Sequence, residues 1–166
     1  MNNLAEIQRK IFPAAEVFLP VLEEWKQAGE SVVFTNGCFD LVHRGHVEYL
    51  AKASQLGNRL IIGLNSDKSV SALKGYGRPL VDEKARAILL AAMFFVDAVI
   101  LFDEETPEKM IAALLPHFLV KGKDYRIEEI AGSKIVADKG GKVETIDLSE
   151  GFSTSALIEK IRKLWP

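Results

Sequence analysis

The chain holds a single cysteine, Cys38, in 166 residues. No internal disulfide can form, and that usage fits a reducing compartment. No apolar run approaches the roughly 18 residues that a membrane helix needs. The opening residues Met-Asn-Asn-Leu-Ala-Glu-Ile lack the basic and apolar regions of a signal peptide, so a cytoplasmic protein is expected. An excess of charge is missing too. The formal net charge is -2, which gives no bulk attraction to nucleic acid or to an anionic membrane. Any anion site must therefore be local. Internal repeats and low-complexity tracts are absent. No Gly-x-Gly-x-x-Gly follows the first apolar strand, which disfavours a redox dinucleotide domain.

Histidine is scarce as well, with three in the chain. Two of them, His43 and His46, close the stretch Thr35-Asn-Gly-Cys-Phe-Asp-Leu-Val-His-Arg-Gly-His46 just past an apolar run. Imidazoles three residues apart share one face at a helix start. Gly45 between them removes a side chain where a backbone must come close to something. The pattern suggests a grip on a phosphate during transfer. Zinc is disfavoured, because the usual zinc helix spaces its histidines i, i+4 with a glutamate, and Cys38 has no Cys-x-x-Cys partner. His117, beside Pro116, carries no assigned role.

The length fits one domain with a proper core. Ala14, Val17, Phe18, Val21, Leu22 and Trp25 form one apolar face, which predicts a helix over Ala14 to Ala28, started or kinked at Pro20 and ended by Gly29. A rhythm of strands and helices follows. Strands are expected over 31–35, 60–64, 98–102, 118–121 and 143–146. Helices are expected over 45–56, 66–73, 83–94, 107–115, 128–139 and from Ser153 or Thr154 to Leu164. In the first of these, Val47, Leu50 and Ala51 should face inward, and Asp82 should cap the third. Alternating elements with unbroken apolar strands predict an α/β fold: a Rossmann-like three-layer sandwich on a parallel five-stranded sheet. Ligands of such sheets bind beyond the strand C-termini, where the histidine segment lies.

Four more segments fall at strand ends or helix starts: Asn65-Ser-Asp67, Lys74-Gly-Tyr-Gly-Arg78, Lys121-Gly-Lys-Asp124-Tyr125, and Glu150-Gly-Phe-Ser153-Thr154-Ser155. Taken singly, each reads as a cap, a turn or solvated charge. In one order along the chain, Thr35-Asn-Gly-Cys-Phe-Asp40, His43-x-Gly-His46, Lys74 to Arg78 and Ser153-Thr-Ser155 resemble the cytidylyltransferase-like nucleotidyltransferases, a resemblance that covers about residues 30 to 164. Asn65-Ser-Asp67, Leu73-Lys-Gly with Arg78-Pro, Leu119-Val-Lys-Gly with Asp124-Tyr, and Glu129-Ile-Ala-Gly-Ser133 are most similar to the adenylyltransferase part of the bacterial heptose-phosphate enzyme. That enzyme is often fused to a sugar kinase, for which this chain has no room, so a stand-alone form is expected.

The resemblance implies an adenylyltransferase domain over 30–166, with residues 1–29 a helical extension packed on it or at a dimer contact. It implies transfer of AMP from ATP to a sugar 1-phosphate, with Mg²⁺ on the triphosphate and no dedicated protein metal site. It makes His43, His46 and Lys74 the catalytic set. Thr35, Asn36, Gly37, Phe39, Gly45, Ser153, Thr154 and Ser155 become nucleotide contacts. Asp40, Asn65, Arg78, Arg86, Lys121 and Asp124 become substrate-side candidates. A homodimer is expected, from the resemblance and the apolar N-terminal helix. Two other readings stay open: a cytidylyltransferase acting on glycerol 3-phosphate or a related phosphoalcohol, and a nucleotide-binding module without catalysis. The intact histidine pair and Lys74 argue against the second.

Overall fold

The computed structural model describes residues 2–148 and 151–165. In chain order the elements are α1 (Asn3–Arg9), β1 (Ile11–Phe12), α2 (Ala15–Gln27), β2 (Val32–Gly37), α3 (Arg44–Ser54), β3 (Arg59–Asn65) and α4 (Asp67–Lys74). There follow α5 (Glu83–Ala91), β4 (Ala98–Phe102), α6 (Glu108–Leu114), β5 (Phe118–Gly122), a 3-10 turn (Ile127–Glu129), α7 (Ser133–Asp138), β6 (Lys142–Ile146) and α8 (Thr154–Leu164).

Successive side chains of a strand point to opposite faces, and the core divides accordingly. Val32 and Phe34 of β2 join Phe18 and Leu22 of α2, Ile111 and Leu114 of α6 and Val136 of α7 on one face. Val33 joins Tyr49, Leu50 and Ala53 of α3 and Ala87 and Leu90 of α5 on the other. Helices therefore cover both faces of an all-parallel sheet, as the unbroken apolar strands require.

The sheet has six strands, in the order β1-β4-β3-β2-β5-β6, where five were expected. The extra one is β1, whose Ile11 and Phe12 pair with Val99 and Ile100. Two residues are too few to show a period, so only the pairing reveals them. Helix α2 runs unbroken through the exposed Pro20, where water can take the carbonyl that a proline leaves free. It buries Ala15, Phe18 and Leu22, while Val17, expected inward, is 56% exposed. In α3 the inward set is Gly45, Tyr49, Leu50 and Ala53, and Val47 faces solvent. Tyr49 takes the inner position because its hydroxyl has partners at depth: it pairs with Thr35 Oγ1 at 2.8 Å and donates to the Val120 carbonyl at 3.1 Å.

From β2 the chain steps one way to β3 and β4, then returns to place β5 on the other side of β2. The sheet's switch point thus lies between β2 and β5, and in sheets of this kind the ligand crevice lies beyond the C-terminal ends of the strands at that point.

Candidate functional site

His43 caps α3 in extended backbone, and Gly45 and His46 are in its first turn. The two imidazoles stack at 3.8 Å between centroids, and the Phe39 ring meets His46 edge-on at 5.2 Å. Phe39 has a φ of 46°, the left-handed turn that aims its ring back under the histidines. A Cβ on Gly45 would sit 3.1 Å from the His43 ring and 3.1 Å from the Phe152 Cβ. Gly45 is therefore glycine because the His43 ring and the start of α8 close on it from two sides.

The His43 backbone N–H donates to His46 Nδ1 at 3.3 Å. Nδ1 is thus an acceptor, which places the proton of a neutral ring on Nε2. Burial, with His43 adding to it, pushes the His46 pKa from 6.5 to about 4. Burial lowers His43 too. At neutral pH His46 is then a neutral N–H donor, held in place by stacking, aimed from the positive end of α3. His43 Nδ1 and Asn36 Oδ1 are buried with no hydrogen-bond partner, a condition that a bound ligand would relieve.

The depressed His46 pKa has a sign that can be tested. The unfolded ring takes a proton near 6.5, and the folded one resists to about 4. In that window the unfolded state binds more protons, so stability falls as pH drops through it. The urea midpoint of the wild type should fall between pH 7 and pH 5 by more than that of His46→Gln. Equal falls in the two proteins would remove His46 from this account.

Across the crevice, Lys121 at the end of β5 donates to the Asn36 carbonyl at 2.9 Å and sits 5.4 Å over the Tyr125 ring. Burial lowers its pKa to about 8, with Asp124 opposing the shift. Asp124 itself is exposed. A Cβ on Gly37 would stand 3.0 Å from the Phe39 ring, close enough that the ring would have to give way.

Several expected site residues are committed to holding the walls. Thr35 is fully buried and spends its hydroxyl on Tyr49, below the floor of the crevice. Asp40, 3% exposed, accepts from Arg78 Nε and from the N–H groups of Leu80 and Val81 at 2.7 and 3.0 Å. It anchors the loop that follows Lys74, and those donors hold its pKa below the usual carboxylate range against the effect of burial. Arg86 is turned inward and fully buried. It donates to the carbonyls of Val81, Cys38 and Asn65 at 2.9, 2.6 and 2.8 Å, and to Asp67 at 2.8 Å. Asn65 donates to Ser69 Oγ at 2.9 Å. His117 Nδ1 accepts from the Val32 N–H at 3.0 Å, which makes it a strut under β2.

Lys74, the last residue of α4, is exposed, and its charge reaches Cys38 in the loop before the histidines. Ser153 caps α8 by accepting from the Ala156 N–H at 3.0 Å. Thr154 and Ser155 open its first turn. Glu150 lies outside the described residues. The crevice therefore gathers His43, His46, Asn36 and Lys121, with the starts of α3 and α8 beside them. Phe152 is the contact that sequence reasoning missed. Its ring lies 6.3 Å from His43 and under the Arg44 guanidinium at 5.5 Å, so it ties α8 to the histidine helix. Its one cue in the sequence was a large apolar residue inside an otherwise polar Gly-x-Ser segment.

Neutral N–H donors, two helix N-termini and lysines around a crevice suit a ligand with several phosphates. A family model described as cytidylyltransferase-like matches residues 34–160. "Bifunctional protein HldE" of Campylobacter jejuni subsp. doylei is 51% identical over 160 residues, covering 96% of this chain and 33% of that protein. The protein of the same name from Syntrophotalea carbinolica is 53% identical over 141 residues, covering 85% and 29%. The chain thus spans about a third of the length of these curated relatives. The crystal structure of a lipopolysaccharide core biosynthesis protein from Thermoplasma volcanium GSS1 matches with a TM-score of 0.57 at 26% identity, over 73% of this chain and 98% of that one.

Proposed function

The chain belongs to the cytidylyltransferase-like family, and from that premise we propose that it transfers AMP from ATP to heptose 1-phosphate, yielding ADP-heptose and pyrophosphate for lipopolysaccharide core synthesis. The observation that carries the transfer is the stacked, neutral His43–His46 pair at the start of α3, beside the switch point. The heptose reading is supported by the relatives named HldE, the structural relative's place in lipopolysaccharide core synthesis and the Val-Lys-Gly-x-Asp-Tyr segment.

A phosphate oxygen of the sugar phosphate attacks the α-phosphorus of ATP in line, and the bond to the β-phosphate oxygen breaks. The second pKa of a phosphate monoester is about 6, so at neutral pH the nucleophile is already charged and needs no general base. The protein's task is positioning and charge stabilisation. His46 Nε2–H donates to an α-phosphate oxygen as charge builds there, and His43 supplies the second imidazole. Lys74 draws the phosphates together. Ser153, Thr154, Ser155 and the free N–H groups of α8 receive the departing pyrophosphate. Lys121 faces the acceptor's phosphate, with Asp124 at the sugar. Asp40, Arg78 and Arg86 act one step back, by holding the loops that carry these groups.

Mg²⁺ neutralises triphosphate charge in such reactions and arrives bound to the nucleotide. Among the described residues no group of three His, Cys, Asp or Glu side chains could hold a metal ion, and Asp40 is already bonded to three donors. No step is assigned through the ion.

Pyrophosphate release tests the reading. With Mg²⁺ and heptose 1-phosphate, ATP should support release and CTP should not. Release only with CTP and glycerol 3-phosphate would replace the heptose reading with the cytidylyl one. A stable ATP complex without release from any phosphate acceptor would favour a binding module.

A further inference from the structure

The pairing of β2 with β5 stops at Phe34 and Leu119. Beyond that rung β2 runs on to Gly37 beside β3, and β5 runs on to Gly122 beside β6. The two strands part there, at the floor of the crevice. The first residues past the last rung are Thr35 and Val120. The next are Asn36 and Lys121, which line the crevice and meet through the Lys121 ammonium and the Asn36 carbonyl at 2.9 Å.

One hydroxyl stands in the gap. Tyr49 of α3 is 7% exposed. It donates to the Val120 carbonyl at 3.1 Å, so in its 2.8 Å pairing with Thr35 the threonine is the donor. Burial raises the Tyr49 pKa, which keeps the hydroxyl protonated and both bonds made at neutral pH. Tyr49 follows His46 by three residues and Gly45 by four, so it lies on the same face of α3, one turn further along. Its oxygen thus joins the histidine helix to β2 one residue before Asn36 and to β5 one residue before Lys121.

We propose that Tyr49 is a positioning residue for the transfer: its hydroxyl is a strut that sets the width of the crevice, holding the histidine pair, Asn36 and Lys121 at one spacing. Its effect on turnover rests on the adenylyl-transfer reading, whereas the strut itself rests on the bonds alone. Lys121 bridges the same gap one residue further on, but its ammonium must also meet the acceptor's phosphate. Tyr49 has no such second duty. In-line attack demands that spacing, since a misplacement of about 1 Å caused from outside the reacting groups can cost about 10² in rate. Tyr49→Phe keeps the ring among Leu50 and Ala53 and removes only the oxygen that spans the gap.

The test compares Tyr49→Phe and Thr35→Val with Ile111→Val, a buried change on the opposite face of the sheet, by steady-state pyrophosphate release and amide hydrogen exchange. Tyr49→Phe should lower kcat about tenfold and leave the KM for ATP within about twofold of the wild type. Thr35→Val should show the same split. The double variant should lose no more than Tyr49→Phe alone, as expected of two groups acting through one strut. Ile111→Val should keep its kcat. In Tyr49→Phe, exchange should quicken at 35–37 and 120–122 and stay at the wild-type rate over Ala98–Phe102. Turnover of Tyr49→Phe within about twofold of Ile111→Val, losses that multiply in the double variant, or exchange that is unchanged or uniformly faster would overturn the proposal. So would a raised KM for ATP in Thr35→Val alone, which would return that hydroxyl to the nucleotide. A wild type that releases no pyrophosphate would sink the transfer reading instead. Exchange then decides the strut: quickening confined to the two strand ends sustains it, and any other pattern removes it.

Discussion

His46→Ala should lower kcat by about 10² to 10³ while the protein melts within a few degrees of the wild type. Loss of one donor to developing transition-state charge typically costs this much. The structure supports that class of role over simple charge attraction. Burial keeps the ring neutral, so it adds little to the pull on ground-state ATP. Its Nδ1 is occupied by the His43 N–H, which leaves Nε2–H as the donor. A donor that strengthens only as charge builds lowers kcat and kcat/KM together and leaves the KM for ATP near its original value. Removing the ring costs the fold little, since alanine suits the first turn of α3 and Phe39 keeps its place among Tyr49 and Leu50. His46→Gln retains an N–H donor on a shorter reach and should fall between the two. Steady-state pyrophosphate release with saturating ATP gives the numbers. Turnover within threefold of the wild type in the alanine variant would exclude the assigned role. A large rise in the KM for ATP at unchanged kcat would make His46 a ground-state contact.

The helical and strand rhythm was legible because each apolar run is long enough to show its period. Strand β4 falls on the expected 98–102, and Asp82 caps α5 as its side chain suggested. The histidine helix was legible because its chemistry is local: two imidazoles and a glycine within four residues. What the sequence could not show was anything decided by residues far apart in the chain. Ile11 and Phe12 become a strand only because Val99 and Ile100 are there to pair with them. Thr35 looks like a cleft hydroxyl until Tyr49 arrives from α3 to take it. Lys121 gains its depressed pKa from burial in the crevice between β2 and β5, which no local spacing announces. Charge alone could not separate cations that face the ligand from those that hold the walls. Arg78 and Arg86 read like Lys74 in the sequence, yet Asp40 holds one and a cage of carbonyls holds the other.

That cage makes Arg86 the position where a substitution should damage the fold most. Arg86→Met keeps the length of the side chain and removes every donor. The carbonyls of Cys38, Asn65 and Val81 are then left without the bonds that Arg86 supplies, and Asp67 loses its ion pair. Asp67 is 40% exposed on its side chain, so water recovers that part. The Asn65 carbonyl is buried with the guanidinium and has no such recourse, and the carbonyls of Cys38 and Val81 are partly buried. Removing one partner from a buried charged network costs about 3–5 kcal/mol, because groups stranded without partners bear their whole desolvation cost. For a domain of this size each kcal/mol moves Tm by about 2–4 °C, so a drop of about 6–20 °C is expected. Arg86→Lys should lie between, since one ammonium cannot reach carbonyls on three separate segments. Those segments are the loop before His43, the end of β3 and the loop after Arg78, so any loss of activity should track the loss of structure as temperature rises. Had Arg86 been a phosphate contact, Arg86→Met would keep its Tm within about 2 °C and lose affinity for the sugar phosphate or nucleotide instead. Calorimetry and steady-state kinetics on the same preparations distinguish the two roles, because a guanidinium with no exposed surface can act on the substrate only through the walls that it holds.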